Sequence, residues 1–173
     1  PSWRPDIDGQ ADLVEEVLRI IGLDALPTTP FTRPDNMPAV ALSAHQRAMG
    51  DLKRALAAEG MDEAVLWSFT SSEVAQHFGW DRESQSDLLL ANPISSDLDV
   101  MRPSLLPNLI MAASRNNDRG YGDVALFEAG LRFLSTKPDG QLPTVGGVRM
   151  GSAHPRHWAG GARAVDAFDA KSD

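Results

Sequence analysis

The sequence predicts an α+β fold, with a largely antiparallel sheet flanked by helices, and three observations carry that expectation. Helical and strand patterns follow one another in mixed order, with no phosphate-binding Gly loop between them. The stretch "DVALFEAGLRF" alternates strictly, with Ala125, Phe127, Ala129, Leu131 and Phe133 on one side and Glu128 and Arg132 on the other. "SAHQ" at Ser43 has the spacing of a helix capping box, in which the Ser43 hydroxyl and the Gln46 side chain satisfy each other's backbone amides.

Taken in order, residues 12–23 place Leu13, Val14, Val17, Ile20 and Ile21 on one helical face, and Gly22 supplies the stop. Four prolines in "LPTTPFTRPDNMP" then remove backbone donors and favour extended conformations, which reads as a linker. The helix capped by Ser43 turns Met49, Leu52 and Leu56 inward, beside Ala48 and Ala55, and closes at Gly60. "EAVLWSF" at 63–69 reads as a strand, a short helix spans about Ser72 to Phe78, and "DLLLANP" places a buried strand at 87–91 before an Asn-Pro turn. "RPSLLPNLIMAASRNNDRG" gives a long helix with Pro103 in its first turn and Leu106, Leu109, Ile110 and Ala113 on one face. After the alternating strand, "TVGGVRMG" offers another. The expected organisation is therefore residues 1–27 as the tail of a small helical module, 28–42 as a Pro-rich linker, and 43–173 as the main domain. The chain opens at Pro1 and stops in "DAFDAKSD", part-way through an amphipathic helix pattern, and reads as a piece of a longer polypeptide.

Composition narrows the function classes. A formal charge of −8 on 173 residues repels a nucleic-acid backbone, whose binding rests on Lys and Arg displacing counterions, so no DNA partner is expected. The absence of cysteine removes disulfides, thiolate zinc sites and thiol nucleophiles. No stretch approaches the roughly 20 apolar residues of a membrane span, and the expected location is cytoplasmic.

Five carboxylates fall within "DIDGQADLVEEV". One reading is helix chemistry, with Asp12 capping the first amides and Glu15 standing at the third position. The other is a cation site. Positions 12, 15 and 16 share a helical face, Asp6 arrives from the preceding segment, and a few carboxylates suffice for Mg²⁺, which keeps several waters. Asp8 is a loop acid in either reading.

Other candidates have ordinary explanations. His154 and His157 are interrupted by Pro155 and lack a third ligand nearby, and Ser95 and Ser96 have no organised base. Gly146 and Gly147 mark a bulge or a close backbone approach within a strand.

The segments "NPISSDLDVMRPSLLPNL" and "RNNDRGYGDVALFEAGLRF" closely resemble the beta subunits of bacterial phenylalanine-tRNA ligases. "PSWRPDI", "DLVEEVLRIIGLDALP", "AAEGMDEAVLWSF" and "VDAFDAKSD" match in the same order, so the resemblance covers nearly the whole chain. It implies an internal segment of such a subunit: the end of a helical module, then a domain similar in fold to a class II aminoacyl-tRNA synthetase but without catalysis, truncated at its C-terminus. It implies assembly with an alpha subunit, two of each, which joins phenylalanine to tRNA(Phe) using ATP, with tRNA met through the whole complex. It also implies Mg²⁺ bound through Asp6, Asp12, Glu15 and Glu16 in a site completed by the alpha subunit. No catalytic or nucleotide-binding residue is expected here. Active class II enzymes carry a phosphate-clamping arginine after a "G-x-x-F" strand, and "GLRF" is followed by Leu134, whose alkyl chain offers no donor. Arg132 is expected as a sheet-face arginine near Glu128. The rivals are an adenylate-forming domain that grips ATP through Arg102 or Arg132, and a stand-alone protein-binding module.

Overall fold

The computed structural model describes residues 2–31, 41–154 and 157–173. The chain divides into two compact units, Pro1–Ala41 and Leu42–Asp173. Most of the expected linker, residues 32–40, lies outside the described residues, as do Pro155 and Arg156 of the histidine pair's spacer.

The first unit is built on helix α1 (Gln10–Ile21), which ends at Gly22 with φ 98°. It begins earlier than the sequence suggested. Gly9, extended at φ −126° and ψ 179°, is the N-cap, so Asp12 is the third helical residue and reaches back to the cap. Glu15 therefore takes no part in capping. Leu13, Val14, Val17, Ile20 and Ile21 line one side as expected, yet all are exposed and no α1 residue is buried. A unit this short has too little chain to enclose its own apolar stripe.

The second unit opens with α2 (Ala44–Ala58), where Ser43 Oγ accepts from the Gln46 N–H at 3.2 Å and Gln46 Oε1 accepts from the Ser43 N–H at 2.8 Å. The helix closes in a Schellman arrangement. Gly60 takes φ 79°, its N–H donates to the Ala57 carbonyl, and the Met61 N–H donates to Leu56. That turn drives Met61 under the sheet, where Leu56, Met61 and Phe127 form one cluster.

The main sheet has the order β1 (Asp62–Glu63), β4 (Val124–Phe133), β5 (Gln141–Met150). β4 and β5 form an antiparallel ladder from Val124↔Met150 to Phe133↔Gln141, and β1 lies parallel to β4. A second sheet pairs β2 (Phe69–Thr70) with β3 (Val100–Met101) antiparallel. The expected single strand at 63–69 is thus divided between two sheets. Its middle does not continue a ladder because carbonyls there accept other donors: Trp67 from Arg102 Nη1 and Asn108 Nδ2, and Ser68 from the Arg102 N–H. The expected strand at 87–91 is also corrected. Ser86–Leu88 is a 3-10 turn, and Leu89 makes only an isolated bridge to Val100. Its buried apolar character was read correctly, since Leu88 packs with Ala75, Trp80, Val100 and Phe133. Ala75 comes from α3 (Ser72–Gln76), capped by Ser71 Oγ.

Helix α4 (Leu106–Asp118) carries Pro107, rather than Pro103, in its first turn. Packing on β4 and β5 buries a face displaced from the expected one: Leu105, Leu109, Ala112 and Ala113 are buried, while Leu106 and Ile110 are exposed. Leu105 and Leu109 approach Gly146, where an added Cβ would lie 3.4–3.5 Å from them, and a Cβ on Gly147 would lie 3.0 Å from Met61 Cε. The two glycines therefore mark close packing on an unbroken ladder and no bulge. The short α5 (Ala167–Ser172) is capped by Asp166.

Candidate functional site

Two groups of charged residues stand out, one in each unit. In the first unit, Arg4 reaches two of the sequence-predicted metal ligands. Its Nη2 donates to Asp6 Oδ2 at 2.7 Å and to Glu16 Oε1 at 2.6 Å, and its Nε donates to Asp6 Oδ1 at 2.9 Å. Arg19 holds the other oxygen of Glu16 through an Nε contact of 2.6 Å. Asp12 Oδ2 accepts the N–H groups of Gly9 at 2.7 Å and Asp8 at 3.0 Å. Glu15 is exposed. Asp6 and Glu16 thus meet through an arginine, Asp12 serves its own helix, and Glu15 projects separately. Among the described residues, no group of three or more His, Cys, Asp or Glu side chains is gathered as a cation site.

These contacts set the protonation behaviour. Arg4 holds the Asp6 carboxyl below its usual range, and Arg19 first and Arg4 second do the same for Glu16. Asp12 is depressed by the backbone amides of Gly9 and Asp8.

The second group was not legible as a unit in the sequence. Arg102, directly after β3, is 2% exposed, and Glu128, midway along β4, is 5% exposed. They meet as a two-pronged ion pair, Nη1 to Oε2 at 2.9 Å and Nη2 to Oε1 at 2.8 Å. The guanidinium is further held by the Leu131 carbonyl, which accepts from Nε at 3.0 Å, and by the Trp67 carbonyl at 3.2 Å. Its own backbone joins in, donating to the Ser68 carbonyl and accepting from the Phe133 N–H. Arg102 therefore ties the β2–β3 sheet to β4 with nearly all its donors used internally. The alternation of β4 put Glu128 on the side opposite Phe127, but that side is covered as well, so polarity did not mean solvent. Glu128's partner is Arg102 and not Arg132, which is half-buried farther along β4.

Asn108 adds to this network, donating from Nδ2 to the carbonyls of Trp67 at 2.6 Å and Phe69 at 3.0 Å. Its Oδ1 and the Thr70 hydroxyl are buried without a hydrogen-bond partner among the described residues. Beside it lies an open groove of about 420 Å³ lined by Val65, Trp67, Phe69, Leu98, Met111 and Arg115. Trp67, stacked on Phe69 at 6.2 Å between centroids, is 63% exposed. Of the remaining candidates, His157 Nδ1 accepts the Ala159 N–H, and Ser96 Oγ lies 3.4 Å from Asp97 Oδ1. No helix among the described residues is long and apolar enough to cross a membrane.

Residues 26–173 match the family model described as "Phenylalanyl tRNA synthetase beta chain CLM domain", and residues 1–23 match the "tRNA synthetase B5 domain". The chain belongs to the phenylalanyl-tRNA synthetase beta chain family. Across all 173 residues it is 52% identical to the phenylalanine-tRNA ligase beta subunit of Rhodospirillum rubrum and 53% identical to that of Paramagnetospirillum magneticum. The beta subunit of Rhodopseudomonas palustris is 51% identical over 177 aligned residues, again covering the whole chain. The chain spans only about a fifth of these relatives, 21–22% of their length. The boundary between the two matched family models, at residues 23–26, falls in the short turn Leu23–Ala25 that follows α1.

Proposed function

We propose that this chain is a non-catalytic, architectural part of a phenylalanine-tRNA ligase beta subunit: a class II synthetase-like domain that supports assembly with the alpha subunit. Through that assembly it serves ATP-dependent aminoacylation of tRNA(Phe) by a cytoplasmic complex of two alpha and two beta subunits. The observation that carries the non-catalytic part is the closure of Arg102. A phosphate clamp needs a guanidinium fork open to its ligand, and this fork is buried against Glu128 and two carbonyls. The adenylate-forming alternative loses one of its two arginines, Arg102, in this way. The architectural part draws support from the exposed apolar side chains Val65, Trp67, Ile94 and Ile110, a kind of surface that partners cover.

Asp6, Asp12, Glu15 and Glu16 are proposed to hold Mg²⁺ in the assembled enzyme. The donor set fits by its chemistry, since all four offer hard carboxylate oxygens and Asp12 keeps Oδ1 available after its two amide bonds to Oδ2. Binding requires Asp6 and Glu16 to exchange Arg4 for the ion, with the alpha subunit completing the site.

Co-purification with a matching alpha subunit, with and without Mg²⁺, tests the assembly. Retention of the alpha subunit is expected, together with no ATP–pyrophosphate exchange by the chain alone. Exchange activity by the purified chain would remove the non-catalytic reading. Calorimetric titration of the assembly tests the ion: Asp12→Ala and Glu16→Ala should weaken Mg²⁺ binding, and unchanged affinity in both would withdraw those ligands.

A further inference from the structure

The stretch that joins β1 to β2 is tied down at its ends and leaves main-chain donors unused between them. The Ala64 N–H donates to Phe127 O at 2.7 Å, and the carbonyls of Trp67 and Ser68 accept from Asn108 Nδ2 at 2.6 Å and from the Arg102 N–H at 3.0 Å. The N–H groups of Val65, Leu66 and Trp67 have no hydrogen-bond partner among the described residues. This stretch borders the open groove of about 420 Å³, whose apolar lining includes the Trp67–Phe69 stack and Met111 of α4. Asn108, 5% exposed, also lines the groove, and its unpartnered Oδ1 is a buried acceptor of a kind that folded proteins seldom leave unsatisfied. Arg115 follows seven residues later on the same face of α4. It is exposed and in no ion pair among the described residues, although acids outnumber bases in the chain.

We propose, on the footing of the alpha-subunit assembly already inferred, that this groove binds an extended, acidic segment of the alpha subunit by strand addition. Consecutive unpaired N–H groups offer main-chain bonds to a peptide in series, which a compact small molecule does not use. The apolar walls then select its side chains, and Arg115 selects a carboxylate. Two turns of α4 separate Asn108 from Arg115, about 10.5 Å, which is the length of about three residues of extended chain. A segment paired along Val65–Trp67 therefore brings an acidic residue to Arg115 about three positions from the residue at Asn108, with an apolar side chain between them against Trp67 and Met111. Arg102 and Asn108 hold the Trp67 carbonyl before any partner arrives, so little ordering of this edge opposes binding.

Calorimetric titration of the 173-residue chain with the matching alpha subunit tests the groove. Trp67→Ala and Arg115→Glu should each weaken binding by roughly tenfold or more. Arg119→Glu and Tyr121→Ser, exposed positions outside the groove, should stay within about twofold of wild type. Circular dichroism and the urea midpoint confirm that each variant is folded. Should Trp67→Ala fail to fold, Val65→Asp at an exposed position takes its place. Overlapping synthetic peptides that span the alpha subunit then compete for the chain. The peptide that competes should contain Asp or Glu, and changing that residue to its amide should abolish the difference between wild type and Arg115→Glu. Wild-type binding that the groove variants leave unchanged, or a competing peptide indifferent to Arg115, overturns the proposal while the assembly stands. Failure of the wild-type chain to bind the alpha subunit at all removes both.

Discussion

Two arginine–carboxylate arrangements, Arg4 in the first unit and Arg102 in the second, share one chemical device and differ in almost everything that decides their worth. Arg4 bridges Asp6 and Glu16 at the surface, where water solvates each ion and salt screens the pair. Arg102 holds Glu128 in the interior, where burial keeps water from replacing either ion's partner. The distances are nearly equal, 2.6–2.7 Å against 2.8 Å, so geometry does not separate them. What separates them is the cost of breaking each one. The surface arrangement can open at little cost, whereas the interior one can only be part of the frame.

The largest effect should come from breaking the buried pair. Arg102→Ala strands the Glu128 carboxylate and takes the side-chain donor from the Leu131 carbonyl, and should lower the unfolding free energy of the second unit by about 3–5 kcal/mol in urea denaturation. The Arg102→Met/Glu128→Leu double variant should lose less than that single change, because no isolated ion remains. Equal losses would show that shape, not charge, is what the pair provides.

Next in size is the apolar packing over the ladder. Leu109→Ala removes a fully buried side chain seated against Gly146, and should cost about 2–5 kcal/mol by the same assay. A loss well below that range would mean that the β5 face collapses to fill the space. Ser43→Ala breaks one half of the α2 capping box and should cost about 0.5–2 kcal/mol, with faster amide exchange confined to the first turn.

The surface network should respond least in stability and most in titration. Arg4→Ala should leave the urea midpoint of the second unit unchanged. Asp6, Asp12 and Glu16 all have depressed folded-state values, so the stability they contribute is present above the ordinary carboxylate range and is lost as pH falls through those lowered values. Carboxyl NMR titration of Arg4→Ala should show Asp6 moving up towards its ordinary value and Glu16 moving up less, because Arg19 remains. Asp12 should stay, because backbone amides hold it. A parallel shift of all three would mean that the acids form one coupled cluster and not two separate arrangements.

Those differences also mark where residue patterns stopped informing. The α2 cap was readable because a capping box is local: Ser43 and Gln46 lie one helical turn apart, and nothing distant is needed to satisfy them. The α1 start was misplaced because Gly9 has no side chain to advertise a cap, so Asp12 drew the role that belongs to the residue three positions earlier. The interrupted strand at 63–69 had the right composition, but Asn108 and Arg102 claim its carbonyls from about 40 and 35 residues away. No window along the chain contains both partners.

Sequence by itself determined the family, the helices with local caps, the long alternating strand and the acidic character of the first unit, since each follows from neighbours within a few residues or from motifs kept in order. Tertiary structure alone decided that Glu128 faces inward onto Arg102 and that Asp6 and Glu16 share Arg4. Burial and pairing depend on which distant segments the fold brings into contact, and a charged side chain carries no mark in its own sequence neighbourhood of whether water or another ion will be its partner.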